Sequence, residues 1–415
     1  MQSVDNGINL GNMKSTCSKT RPFLYQPLVV KLKQRLADGA LAPGAFVASE
    51  STLAQNEGVS RTSVRRAVEV FIRDGTLERR PGKGLFVRES HVASRTIHIV
   101  VPNLSFHLCV EVARGVRNVG LATGVKTLID DAHGNLETSL QALRHLPETA
   151  ADGAVIWSWH HPRFTEVLYE LKAAGYPFVL VDEIPAGLEI PCVAADNYQG
   201  GYTVGQVLLG RGHRRIAFVG FLNADSVSLR LEGLRDAISD AGLPFDRSLV
   251  GEIRVEFAQD WSAEIGRVVR ALMERSERPT AIFFCNDYAA AIGCTVLRDL
   301  GLLIGGDIAV VGFDGDPVCE LLSPRLATIR QPGRQMGEVA MRLLGQVMAG
   351  ALRKPGGSRK AVDMKSLRQV LPVDWVEGGS VGSAIVGTAV ENGPLSDSSG
   401  RGQPRRERIV SAVAL

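Results

Sequence analysis

The 415-residue sequence has little with which to build a covalent or metal-held scaffold. Its six cysteines, Cys17, Cys109, Cys192, Cys285, Cys294 and Cys319, include no CxxC pair and no spacing to histidine that suits a metal site. Most lie in apolar runs, so buried free thiols are expected. No apolar run approaches the ~20 residues of a membrane span, and residues 1–20 lack the continuous apolar core of a secretory signal. These absences predict a soluble chain in a reducing cytoplasm, with no membrane partner. Catalytic signatures are missing as well. There is no GxGxxG after a strand-like run, no GxxxxGK followed by Ser or Thr and no HExxH. An enzyme is thereby disfavoured, and no catalytic residue, cofactor or metal is assigned.

What the chain does have is 45% hydrophobic and 22% charged residues, the balance of a globular protein long enough for about two or three domains. The net charge of +3 is unevenly spread. Residues 21–90 carry 12 Lys+Arg against 7 Asp+Glu, while residues 91–415 carry 33 against 36. A small basic segment ahead of a slightly acidic bulk suits nucleic-acid contact at one end only.

Within the basic segment, the run from Gly58 to Gly75 spaces Val64, Ala67, Val68, Phe71 and Ile72 as one apolar helix face, with Ser60 as N-cap. Arg61, Thr62, Arg65, Arg66 and Arg73 fall off that face, the first four in the opening turns. Ser49 caps a shorter helix upstream, and Glu57-Gly58-Val59 supplies the tight turn between them. Downstream, TLERR and LFVR are strand-like runs joined by Pro81-Gly82-Lys83-Gly84, a hairpin with Lys83 at its tip. Two helices, a turn and a hairpin make a winged helix-turn-helix, preceded by a helix over Tyr25 to Asp38.

From PLVVKLKQRLADGALAPG through SESTLAQNEGVSRTSVRRAV to GTLERRPGKGLFV, residues 27–87 resemble the winged-helix domain of GntR-type transcription regulators. The resemblance implies that Arg61, Thr62 and Arg65 contact bases and phosphates of double-stranded operator DNA, with Gly82-Lys83-Gly84 as a minor-groove wing. Ser49, Ser60, Arg66, Lys83 and Gly84 complete the expected DNA-binding set. Ala48, Ser51 and Leu85 depart from the family pattern at positions that bear on which operator is read.

Beyond a short polar linker at 89–96, seven apolar runs at 97–102, 126–131, 153–157, 178–182, 215–221, 281–287 and 308–314 alternate with helical stretches. That alternation predicts parallel sheets covered by helices on both faces. Several runs end in a polar or charged group, among them Asp130, Asp182, Asn286-Asp287 and Asp314. Ligands in open α/β sheets bind at those carboxyl ends.

Motifs spread over residues 97–380, including ADGAVI, GYPFVLVD, AADNYQGGYTVGQVLLGRGHRRIAFVG, DWSAEIG, PTAIFFCNDYAAAIG, GGDIAVVGFD and LATIRQP, resemble the effector domain of the LacI/GalR repressors. The resemblance implies a two-lobed α/β periplasmic-binding-protein-like fold with three crossovers, expected near residues 212, 328 and 358. It places effector in the cleft, held by Trp261 as a stacking ring, by Arg230, Asn286 and Asp314, and by Asp182, Ser226 and Gln331. Trp157 and Phe106 are further candidates for its wall. Joined to a GntR-type winged helix, such a domain resembles arabinose-repressor-type regulators.

The expected organisation is a tail over 1–20, a winged domain over 21–88, the linker, the sensor over 97–380 and a Gly/Ser-rich tail over 381–415. The expected function is that of a dimeric, ligand-responsive repressor of carbohydrate genes, with a purine or another small metabolite as the alternative effector.

Overall fold

The computed structural model describes residues 25–384 except 38–39, 43, 74, 89–94, 150, 158–160, 184–188, 255–259 and 352–366. The tail expected over 1–20, most of the linker and the chain beyond 384 lie outside the described residues.

The N-terminal unit runs α1 (Gln26–Ala37), β1 (Phe46–Ala48), α2 (Glu50–Glu57), α3 (Arg61–Arg73), β2 (Leu77–Arg80) and β3 (Gly84–Val87). Ser49 Oγ accepts from Thr52 N at 3.0 Å and Ser60 Oγ from Ser63 N at 3.1 Å, so both helices start where their caps stand. The apolar stripe of α3 buries Val64, Ala67, Val68 and Phe71 with Leu28, Val29 and Leu32 of α1 and Leu77, Leu85 and Val87 of the strands. Each large side chain so buried contributes about 1.5–3 kcal/mol. The three strands form an antiparallel sheet in the order β1-β3-β2. This is the small α+β winged helix-turn-helix predicted from the sequence.

Lobe 1 of the following unit is built from β4 (Thr96–Val101), α4 (His107–Thr123), β5 (Lys126–Asp131), α5 (Leu136–His145), β6 (Gly153–Trp157), α6 (Pro162–Ala173), β7 (Phe178–Val181) and β8 (Cys192–Ala195). Lobe 2 follows with α7 (Asn197–Gly210), β9 (Ile216–Gly220), α8 (Asp225–Asp240), β10 (Val250–Glu252), α9 (Trp261–Met273), β11 (Ala281–Phe284), α10 (Asp287–Asp299), β12 (Ala309–Val311), α11 (Val318–Leu321) and β13 (Thr328–Arg330). The chain then returns to lobe 1 as α12 (Gly333–Ala351) and β14 (Arg368–Leu371), and ends in lobe 2 with β15 (Asp374–Val376).

Every neighbouring pair in the two main sheets is parallel, in the orders β14-β8-β7-β6-β4-β5 and β10-β9-β11-β12. The stretch β5-β4-β6-β7 of lobe 1 repeats the order of lobe 2, so the lobes share a topology and a switch point. Each also has a helix pair crossing at reciprocal glycines. A Cβ at Gly201 of α7 would stand 1.9 Å from Arg230 O, and one at Gly233 of α8 would stand 2.1 Å from Tyr198 O. In lobe 1, Gly115 of α4 and Gly337 of α12 are equally tight, since a Cβ added at either would stand 2.0 Å from the other helix's backbone.

The crossovers fall at 196–197, 331–332 and 372–373. The expectation near 328 is close. That near 212 is corrected, because α7 packs on α8 and already belongs to lobe 2. Residue 358 lies outside the described residues, and the third crossing is where β14 leaves β8 and the chain joins β13 through β15. Residues 381–384, assigned from sequence to the tail, instead pack on lobe 2. Val381 is buried, Gly382 O is 3.0 Å from His213 Nε2, and Ala384 N donates to Arg211 O at 2.9 Å.

The winged unit rests on lobe 1. Lys33 Nζ of α1 donates to Ala151 O at 2.6 Å and lies 3.4 Å from Asp152, while Arg73 of α3 reaches Glu148 O at 3.4 Å. Contact between the units therefore does not depend on the linker alone.

Candidate functional site

On the winged unit, the cost of burying apolar residues on one face of α3 leaves the rest of the helix free for charge. Arg61, Thr62, Arg65 and Arg66 are exposed in its first two turns. The charges of Arg66, Arg73 and Glu148 act on the buried Tyr25. Burial first and Glu148 second push that phenol up to about 12. Ser49 and Ser60 are committed as caps, which fixes where the two helices begin. At the wing, Gly84 has φ 98° and no room for a side chain, since a Cβ there would lie 2.9 Å from the Phe46 ring and 3.0 Å from Ala48 O. Lys83 is exposed at the turn.

Arg79 escaped the sequence reading. Its guanidinium binds Glu50 of α2 at 2.8 Å and Glu69 of α3 at 3.3 Å, clamping the wing strand to both helices. A pattern-based reading cannot find such a residue, because its partners are distant in sequence and all three side chains look like ordinary surface charge.

In the sensor, the sequence-predicted residues fall at matching places in the two lobes. Phe106, Trp157 and Asp182 lie at the carboxyl ends of β4, β6 and β7. Ser226, Asn286 and Asp314 lie beyond the carboxyl ends of β9, β11 and β12. That is where open α/β sheets bind ligands. Gln331 stands in the second crossover itself.

Arg230 of α8 is the electrostatic centre of this region, 4% exposed. Its Nε donates to Asn197 Oδ1 at 2.9 Å, its Nη1 donates to Cys285 O and lies 3.8 Å from Asp314 Oδ1, and its guanidinium carbon sits over the Phe313 ring, 3.8 Å from the ring centre. Gln331 Nε2 donates to Asp314 Oδ1 at 2.7 Å. Burial pushes Asp314 up to about 7, with Arg230 and Gln331 pulling the other way. Asp287 is fully buried and pushed up to about 8 by burial and by Asp314. It is held by Thr328 Oγ1 at 2.6 Å and Asp316 N at 2.7 Å, and so braces the loop that carries Asp314. Asp182 is also raised by burial, opposed by Arg230 and a hydrogen bond from Trp157.

Two of these residues, Asp182 and Asp314, hold positive φ angles of 77° and 118°. Non-glycine residues rarely adopt such angles, and the strain is stored where the carboxylates must point. Among the described residues, Asp182 Oδ1 and Gln331 Oε1 are shut off from solvent without a hydrogen-bond partner. Buried acceptors left open in this way mark a place where a donor is missing.

Trp261 behaves differently from the expectation of an open stacking platform. It is 3% exposed, with Phe106 stacked on it at 5.5 Å and Phe221 and Tyr288 edge-on at 4.7 and 5.3 Å. The cluster joins Phe106 of lobe 1 to three rings of lobe 2. Asn286 Oδ1 caps α10 by accepting from Ala289 N at 2.8 Å, which commits that oxygen to the helix. Sequence reasoning did not reach Asn197, although it lies in the AADNYQGG run, nor Glu183, Phe221 and Tyr288. A groove of about 890 Å³ along β10, lined in part by Arg235, Arg247, Arg254, Arg267 and Arg275, holds none of the predicted site residues.

A winged helix-turn-helix with exposed arginines, carried on a two-lobed cleft with buried, open acceptors, defines the class of DNA-binding regulators that answer to a small molecule. The family model of bacterial regulatory proteins of the gntR family matches residues 24–87, and that of a periplasmic binding protein-like domain matches residues 206–381. The chain thus joins a GntR-type DNA-binding domain to a periplasmic-binding-protein-like sensor domain.

It is 27% identical over 338 residues to the arabinose metabolism transcriptional repressor of Geobacillus stearothermophilus, spanning 78% of this chain and 91% of that protein. To catabolite control protein A of Priestia megaterium it is 27% identical over 295 residues, 71% of this chain and 86% of the other. The crystal structure of transcription regulator GntR from Chromobacterium violaceum superposes with a TM-score of 0.57 at 26% identity, over 69% of this chain and 99% of that one.

Proposed function

We propose that the chain is a sugar-responsive repressor of carbohydrate-metabolism genes, acting in the cytoplasm as a homodimer on a pseudo-palindromic operator. Residues 21–88 read the DNA and residues 97–380 sense the effector. The observation that carries this reading is the division of α3, whose apolar stripe is consumed by the core while Arg61, Thr62 and Arg65 stand free in the opening turns, where a recognition helix meets base edges. Arg230, Asp314, Gln331, Asp182, Asn286 and Ser226 supply the fork, carboxylates, amides and hydroxyl that pair with sugar hydroxyls. Phe106 and Trp157 form the apolar wall, with Trp261 packed behind Phe106. Closure of the lobes on effector changes the spacing of two recognition helices, a coupling of typically ~1–3 kcal/mol.

Selection of binding sites from random duplex DNA with the full chain tests the proposal. Recovered sequences should carry inverted half-sites about 10 base pairs apart, and one sugar of a mono- and disaccharide panel should release the protein from them. A selection that enriches no sequence at low salt overturns the reading of α3, and release by no sugar overturns the choice of effector.

A further inference from the structure

The cleft holds a buried carboxylate that no motif pointed to. Glu183 follows Asp182 beyond the carboxyl end of β7 and is 6% exposed. Ser226 Oγ, from the opposite lobe, donates to its Oε1 at 3.3 Å, and Asp225 stands nearby. Asp182 leaves Oδ1 buried and open among the described residues. Gln331, 5% exposed, leaves Oε1 open in the same way while its Nε2 holds Asp314.

Both open atoms are acceptors, so what is missing is a donor. Charge narrows the kind of donor. Against Asp182, Glu183 and Asp314, Arg230 is the one cation that the described residues of this network supply, and it is already engaged by Asn197, the Cys285 carbonyl and Asp314. Asp287 is not part of the imbalance, being satisfied by Thr328 and the Asp316 amide. Burying two adjacent carboxylates without a counter-charge is costly, and a cation in the cleft relieves that cost. Burial, then Asp182 and Asp225, push Glu183 up to about 8.

Resting on the reading of the cleft as a sugar site, we propose that the effector carries a positively charged amine, as an amino sugar does, and that Asp182 and Glu183 hold its ammonium group. An ammonium has three donors and no acceptor, which suits two carboxylates and the Gln331 carbonyl oxygen together. Sugar acids and sugar phosphates bring the wrong sign into a site where Asp182, Glu183 and Asp314 face one guanidinium.

The test is calorimetric titration of the full chain at pH 7 with glucosamine, galactosamine and mannosamine, their neutral parents, gluconate and glucose 6-phosphate, each in two buffers of different ionisation enthalpy. One amino sugar should bind at least about tenfold more tightly than its neutral parent, as expected for charge-assisted bonds. Its binding should release a proton from Glu183, which burial and its acidic neighbours push up to about 8, a readout that needs no variant. Glu183→Gln should remove most of the preference while binding of the neutral parent persists. A neutral parent that binds as tightly as its amine, or binding without proton release, overturns the inference and leaves the sugar reading standing. Binding by no sugar of the panel overturns both.

Discussion

Arg61 and Arg65 stand in solvent on the opening turns of α3, whereas Arg230 is sunk between α8, Phe313 and three hydrogen-bonding or charged partners in the cleft. The same side chain is put to opposite uses. An exposed guanidinium stays hydrated, costs the fold little, and is free to exchange its counterions for phosphates or its water for a base edge. A buried one has lost its water and must be matched on every side, so its neighbourhood recognises whatever completes the match. On the proposed function, the winged unit reads a polyanion with charge that the fold does not need, and the sensor reads a small molecule with charge on which the fold depends.

The comparison breaks most easily at Arg230. Arg230→Ala leaves Asp314, Asn197 and the Cys285 carbonyl without their donor in a buried setting, and should cost about 3–5 kcal/mol in urea unfolding. Arg230→Lys should restore only part of this, because an ammonium cannot sit over Phe313 while forking to two partners. Arg61→Ala and Arg65→Ala should each change unfolding by less than about 0.5 kcal/mol, the range for surface sites. Operator affinity should fall by about 1–3 kcal/mol in each, measured by fluorescence anisotropy at fixed salt. An Arg230→Ala protein as stable as wild type, or an unfolded Arg61→Ala protein, would reverse the assignment of structural and surface charge.

These contrasts were unevenly legible in the sequence. The winged unit was readable almost to the residue, because its signals are local: caps at Ser49 and Ser60, the stripe from Val64 to Phe71, and glycines around Lys83. The strand ends of both lobes were readable for the same reason, since an apolar run followed by Asp or Asn marks a carboxyl end. The clamp from Arg79 to Glu50 and Glu69 was hidden, as were Glu183 facing Ser226 and Phe106 covering Trp261. Each joins residues that only the folded chain brings together. The first crossover was misplaced for a related reason. Periodicity predicts a helix over Tyr202 to Arg211, but only the packing of Gly201 against α8 shows to which lobe it belongs.

Asp314 sharpens the sensor side. Asp314→Asn keeps the shape and the Gln331 contact but removes charge, and should lower effector affinity by about 1–3 kcal/mol with the fold intact. Its effect on stability has a definite sign. Asp314 and Asp287 are raised to about 7 and about 8, so the folded protein holds protons that the unfolded chain has released above about pH 4. Their contribution is full below the unfolded value and is lost as pH rises through the folded values. The Asp314→Asn variant should therefore lose less stability than wild type between about pH 5 and 8, in urea melts at matched ionic strength. A steeper loss in the variant would mean that the carboxylate is stabilised as an ion.

The smallest effect is expected at Lys83, and it tests the other side. Lys83 is exposed at the tip of a turn whose backbone is already fixed by its own N–H donating to Arg80 O at 2.9 Å and by positive φ angles at Gly82 and Gly84. Because Arg79 clamps the wing strand to α2 and α3, the tip is held in place without any help from the Lys83 side chain. Lys83→Ala should therefore leave unfolding unchanged and remove one phosphate contact, reducing the slope of log affinity against log salt by about one unit, equally for all operator sequences. A changed preference among operator sequences, with the slope intact, would move Lys83 from the phosphate backbone to a base edge. Loss of stability would show that wing charge, like cleft charge, is part of the fold, and the contrast between the two regions would then rest on α3 alone.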